Sequence, residues 1–129
     1  MNIQPTSSAH AIGQQYLIRH IILEATECPF DVLNDLERAE KLLTDIADTI
    51  HTEVLKQISH QFDPHGITAM VIVGASHLSV HTWPEYGFAT IDLVVCTDNF
   101  ATTDVMELVK SSLGASAVSQ IEFRRGLMK

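Results

Sequence analysis

The chain is 129 residues long, 46% hydrophobic, with two cysteines and a formal net charge of -8 at pH 7. That length carries one compact domain and leaves no room for separate catalytic and regulatory domains. It contains no apolar run near the roughly 20 residues of a membrane helix and no basic region followed by an apolar block at its start. Acidic residues outnumber basic ones 16 to 8. These features argue against a membrane or a nucleic acid as partner and for a cytoplasmic protein whose Cys28 and Cys96 stay reduced.

Residues 1–15 are polar, without periodicity, and read as a loose arm. Tyr16 to Ala25 is short, apolar and rich in β-branched residues, which suits a central strand ending at Cys28-Pro29. Asp31 or Asn34 then caps an amphipathic helix with Leu36, Ala39, Leu42, Leu43, Ile46, Ala47 and Ile50 on one stripe. Thr52 to Phe62 and Ile67 to Gly74 form a hairpin about the turn Asp63-Pro64-His65-Gly66. Ser79 to Thr82 and Phe88 to Cys96 add two strands. A second helix starts at Asp98 or Asn99, carries Ala101, Val105, Leu108, Val109 and Ser112 on one face, and stops at Gly114. Ala117 to Phe123 is the last strand.

This order describes an α+β two-layer sandwich, a mostly antiparallel sheet with two helices on one face. The other face needs a cover. A sheet-on-sheet homodimer is expected to supply it, because residues such as Val71, Val73, Leu93 or Val95 would otherwise meet water.

Residues 74–87 read Gly-Ala-Ser-His-Leu-Ser-Val-His-Thr-Trp-Pro-Glu-Tyr-Gly and concentrate hydroxyls, two imidazoles, an indole and a carboxylate where strands meet a turn. The plainer interpretation is a hairpin with polar edge residues. The chemical one is that a strained turn lets the Ser76 hydroxyl attack the carbonyl of Ala75, giving an ester in place of the amide when a nearby base takes the proton. Loss of the serine α-proton then expels the upstream chain as a carboxylate, and the remaining dehydroalanine hydrolyses to a pyruvoyl group and ammonia.

The run Ser76 to Ala89, with Asp92 and Cys96 after it, Phe62 to Thr68 before it and Arg19-His20 in the first strand, resembles the prokaryotic S-adenosylmethionine decarboxylase proenzymes. The resemblance spans most of residues 16–126 and is specific in its central block. It implies cleavage between Ala75 and Ser76 into residues 1–75 and 76–129. A covalent pyruvoyl cofactor derived from Ser76 would form a Schiff base with the substrate amine and act as electron sink. It also implies that decarboxylation of S-adenosylmethionine yields the aminopropyl donor for spermidine, without a pyridoxal-binding lysine. By the same resemblance His81 is the processing base and Thr68, where relatives commonly have Ser, bonds the cyclic intermediate. Cys96 becomes the acid that protonates the product carbon, since thiols ordinarily keep their proton at neutral pH. Phe62 and Trp83 would wall the adenine and sulfonium, and Glu85 would hold the ribose hydroxyls.

Two positions depart from the pattern: Ala75 stands where relatives place Glu, and Thr97 where Gly is common. Because the attacked group is main chain, Ala75 removes no bond-making atom. These changes keep open a pyruvoyl-dependent arginine or ornithine decarboxylase and an unprocessed, non-catalytic homologue. His77, His81 and Cys96 do not have the spacing of a closed zinc site, so no metal is assigned.

Overall fold

The computed structural model describes residues 15–128; apart from Gln15, the expected arm lies outside the described residues. The elements run β1 (Gln15–Thr26), α1 (Phe30–Leu33), α2 (Leu36–Thr49), β2 (Val54–Gln61), β3 (Ile67–Val73), β4 (Ser76–Trp83), a 3-10 turn (Pro84–Tyr86), β5 (Phe88–Val95), α3 (Thr102–Leu113) and β6 (Ala117–Met128). One six-stranded sheet has the order β2-β3-β4-β5-β1-β6, and each neighbouring pair is antiparallel.

The two-layer reading holds, with three helices rather than two. Pro29 opens the extra single turn, α1, and Asn34 closes it. The cap of α2 is Asp35, not Asp31 or Asn34: its carboxylate accepts the Arg38 N–H at 3.2 Å, which satisfies one of the orphan donors of the first turn. α3 begins at Thr102 instead of Asp98 or Asn99, and Gly114 ends it in the left-handed conformation. β6 continues past Phe123 to Met128 because its ladder with β1 runs unbroken in direction from Thr26↔Ala117 to Gln15↔Met128. β4 starts at Ser76, ahead of the expected Ser79.

Strand alternation sends Ile21, Leu23, Ile67, Ala69, Val71, Val73, Leu78, Val80, Ile91, Leu93 and Val95 into a core shared with Leu42, Leu43 and Ile46 of α2 and Val105, Val109 and Leu113 of α3. Burying each large aliphatic side chain contributes about 1.5–3 kcal/mol before entropy is subtracted. Val71, Val73, Leu93 and Val95 therefore lie under the helices, which corrects the side chains expected on the open face. The period of two places their sequence neighbours there instead. Among the described residues, Ile58 (72% exposed), Met70 (41%), Ile72 (53%), Ile121 (57%) and Phe123 (53%) are large apolar groups that face away from the helices.

Candidate active site

β4 carries reactive groups at both of its ends. At its start, β3 stops at Val73 and the chain turns through Gly74 and Ala75. The turn is pinned by Gly74 N–H donating to the Glu53 carbonyl at 3.1 Å and Ala75 N–H donating to Thr52 Oγ1 at 3.0 Å. The Ala75 carbonyl in turn accepts the Cys96 N–H at 2.9 Å, because Val95 pairs with Ser76 and Cys96 follows directly. Ser76 has φ 137°, a region essentially reserved for glycine and costing about 1–3 kcal/mol in an L-residue. Its Oγ lies 3.1 Å from His77 Nδ1.

Cys96 is a half-buried thiol outside any disulfide. Beside it, Arg19 is fixed by Glu122 through two hydrogen bonds of 3.0 Å and by Thr102 Oγ1 at 3.1 Å, with its guanidinium 4.6 Å from the Phe100 ring centre. Its sequence neighbour His20 turns the other way, onto the open face, with Nε2 3.7 Å from Asp92 Oδ1.

At the far end of β4, Thr68 on β3 pairs with His81, and Thr68 Oγ1 is hydrogen-bonded to His81 Nδ1. Trp83 stands edge-on to His81 with ring centres 4.1 Å apart, and Phe62 approaches the same imidazole at 5.8 Å. Burial lowers the His81 pKa from its ordinary value, and the nearby Glu85 carboxylate partly opposes that shift. Glu85 Oε1 also lies 3.2 Å from His65 Nε2, and His65 packs edge-on against Phe30 at 5.3 Å. Phe62, His65, Gly66, His81, Trp83 and Glu85 line an open cavity of about 210 Å³.

Two local devices hold that cavity. The 3-10 turn that presents Glu85 closes on Gly87 at φ 61°, where an added Cβ would stand 3.0 Å from the Cys28 carbonyl oxygen, so glycine is required. Beneath it, the buried Thr82 hydroxyl accepts the Ile67 N–H at 3.0 Å and donates to the Leu33 carbonyl at 2.8 Å, joining β3, β4 and α1.

The sequence model of the S-adenosylmethionine decarboxylase family matches residues 19–126. The chain belongs to that family. S-adenosylmethionine decarboxylase proenzymes similar to it include that of Pelotomaculum thermopropionicum, 33% identical over 88% of this chain and 90% of the relative. That of Carboxydothermus hydrogenoformans is 36% identical over 85% and 87%, and that of Bacillus cereus strain ZK / E33L is 38% identical over 84% and 83%. Among solved structures, the adenosylmethionine decarboxylase of Aquifex aeolicus superposes with a TM-score of 0.79 at 29% identity, covering 89% of this chain and 95% of that one.

In this S-adenosylmethionine decarboxylase family member the expected site residues fall into two groups. Ala75, Ser76 and Cys96 meet at one end of β4; Phe62, Thr68, His81, Trp83 and Glu85 meet at the other. His81 stands five positions from Ser76 along the strand, about 17 Å at roughly 3.4 Å per residue, so within one protomer it does not reach the Ser76 hydroxyl. His77 does, and His65 joins the aromatic cavity. Neither was assigned a role from the sequence. The adjacency of His77 to Ser76 was legible there, but the rotamer that aims Nδ1 at Oγ was not, and His65 read as a turn residue.

Proposed function

We propose that the chain is a proenzyme that cuts itself between Ala75 and Ser76, leaving residues 1–75 and 76–129, and that the processed protein decarboxylates S-adenosylmethionine to supply the aminopropyl donor for spermidine. The observation that carries this reading is the pairing of a strained backbone at Ser76, φ 137°, with a carbonyl at Ala75 already held by the Cys96 N–H at 2.9 Å. Attack by Oγ converts the Ala75 carbonyl oxygen into an oxyanion, and a main-chain donor already in place stabilises the charge as it forms. Relief of the strain at φ 137° favours leaving the ground state.

The same end of β4 suits the prosthetic group, since a serine at a chain break supplies its atoms and no lysine is needed. A pyruvoyl group supplies an electrophilic carbonyl conjugated to an amide, a sink for the electrons left when carbon dioxide departs. The chain's own residues do the rest. Cys96, adjacent to the break, offers its thiol as the proton donor to the product carbon. The π faces of Phe62 and Trp83 favour a sulfonium, worth up to about 2 kcal/mol once water is excluded. Glu85 offers two acceptor oxygens to vicinal ribose hydroxyls, and a net charge of -8 favours approach of a cation.

The two groups on β4 act in one pocket when two copies pack open face to open face about a twofold axis that crosses the strands. Each β4 then lies antiparallel over its partner's, and the Phe62–His81–Glu85 end of one protomer meets the Ser76–Cys96 end of the other. The exposed Ile58, Met70, Ile72, Ile121 and Phe123 support this arrangement, because an apolar face of that extent rarely remains bare in a monomer. The reducing cytoplasm is the compartment that keeps Cys96 a thiol.

Intact mass spectrometry and denaturing electrophoresis should show two fragments divided after Ala75, the second with a blocked N-terminus that reacts with a carbonyl reagent. Release of labelled carbon dioxide should follow S-adenosylmethionine and not arginine or ornithine, and Cys96→Ala should lower kcat by about 10²–10⁴-fold. A folded protein that stays a single chain overturns the reading; a cleaved one that prefers arginine or ornithine overturns the substrate.

A further inference from the structure

We infer that His65 is the positioning residue for Glu85: its imidazole holds the carboxylate in the orientation that receives the ribose hydroxyls, and so sharpens selection for a ribonucleoside substrate. This rests on the decarboxylase reading above and names what orients its ribose acceptor. His65 Nε2 lies 3.2 Å from Glu85 Oε1, and both side chains line the cavity that Phe62 and Trp83 also line. With a proton on Nε2, in the neutral tautomer or the imidazolium, the ring presents an N–H to Oε1. A carboxylate has about four lone-pair sites, so engaging one leaves Oε2 and the rest of Oε1 for vicinal hydroxyls. The pair is contained in one protomer and stands whether or not a second copy covers the open face.

The backbone on each side of the pair is fixed. Phe62 N–H donates to the Gly66 carbonyl at 2.8 Å and closes the loop that carries His65. Gly66 N–H donates to Asn34 Oδ1 at 3.0 Å, and Gln61 Nε2 donates to the Asn34 carbonyl at 2.8 Å, so both ends of the loop are tied to the end of α1. The start of α1 supplies Phe30, whose ring meets that of His65 edge-on at 5.3 Å. Opposite, the 3-10 turn Pro84–Tyr86 presents Glu85 and is closed by Gly87 N–H donating to the Pro84 carbonyl at 3.1 Å.

What the backbone leaves free is the Glu85 side chain itself, 41% exposed and rich in rotamers. An ion pair this open to water contributes little to folding. Its consequence lies in binding, because a carboxylate already held by His65 spares the substrate the cost of ordering it.

The test compares steady-state kinetics for wild type, His65→Ala, His65→Leu and His65→Gln, per self-cleaved chain counted by intact mass, with thermal melts to establish that each folds. Leu keeps bulk against Phe30 without an N–H; Gln carries an N–H at nearly the reach of Nε2. With S-adenosylmethionine, the Ala and Leu variants should raise KM about threefold to tenfold, the cost of ordering one free side chain, with kcat within about twofold of wild type. Gln should hold KM within about twofold of wild type, since it restores the donor.

Two readouts separate this role from a merely structural one. A substrate analogue lacking both ribose hydroxyls, used as a competitor, should give wild type and His65→Ala the same inhibition constant. In a Glu85→Ala background His65→Ala should add nothing, because a residue acting only through that carboxylate has no effect once it is gone. Wild type that never splits, or that splits and releases no carbon dioxide from S-adenosylmethionine, removes the decarboxylase reading and this inference with it. Active wild type whose KM is unmoved by His65→Ala overturns the His65 role alone. So does a loss that persists on the analogue or in the Glu85→Ala background, or a Gln variant as weak as the Ala one. If His65→Ala does not fold, His65→Leu decides by the same criteria.

Discussion

His81 and Glu85 show how a pair of side chains sets a proton's position in the proposed substrate cavity. Burial among Phe62, Trp83 and Thr68 disfavours the imidazolium and lowers the His81 pKa; the Glu85 carboxylate works against that shift. Glu85→Gln should move the His81 titration midpoint further down, read from its ring-proton NMR shift, and an upward move would contradict the assignment. The stability consequence follows in sign. The unfolded chain binds this proton more tightly than the native one, so the His81 contribution destabilises the fold as pH drops below the ordinary value of 6.5 and is complete below the native pKa. At this scale the sequence supplied the residues on which the proposed chemistry rests, because resemblance is carried by residue identity. It did not show that Ser76 occupies a positive φ or that His77 faces it. Those are dihedral angles, set by the hydrogen bonds of Gly74 and Ala75 to Glu53 and Thr52.

Among the elements, periodicity located both long helices and the hairpin β2–β3, but local signals misplaced their ends. Asn34 looked like a cap, yet its side chain accepts the Gly66 N–H at 3.0 Å, and Asp35 takes the capping position. A tertiary partner displaced the local preference. Thr82 is a similar case: nothing in its neighbourhood in sequence marks it, and it is the hydroxyl that links β3, β4 and α1 below the cavity. Thr82→Val keeps the shape but strands the Ile67 N–H and the Leu33 carbonyl, so urea denaturation should show a loss of about 2 kcal/mol. A change below about 0.5 kcal/mol would mean that those groups find other partners.

For the whole molecule, the decisive feature is an apolar sheet face opposite the helices, with half of the reactive groups at each end of the central strand. If two copies close that face, Ile72→Glu should break the association while leaving the helix-covered core intact. Analytical ultracentrifugation should then report one chain mass in place of two, far-UV circular dichroism should be unchanged, and decarboxylation should be lost. A dimer that persists with full activity would refute the packing.

The sequence by itself determined the family, the α+β class and the residue types around Ser76, because these reside in identity and in the alternation of apolar and polar positions. Only the tertiary structure decided which alternate residues turn outward, that Cys96 donates to the Ala75 carbonyl, and that His81 stands far from Ser76 in its own protomer. Register supplies the physical reason: a one-residue shift along a strand exchanges its faces, and pairing across strands brings together residues that no spacing along the chain relates.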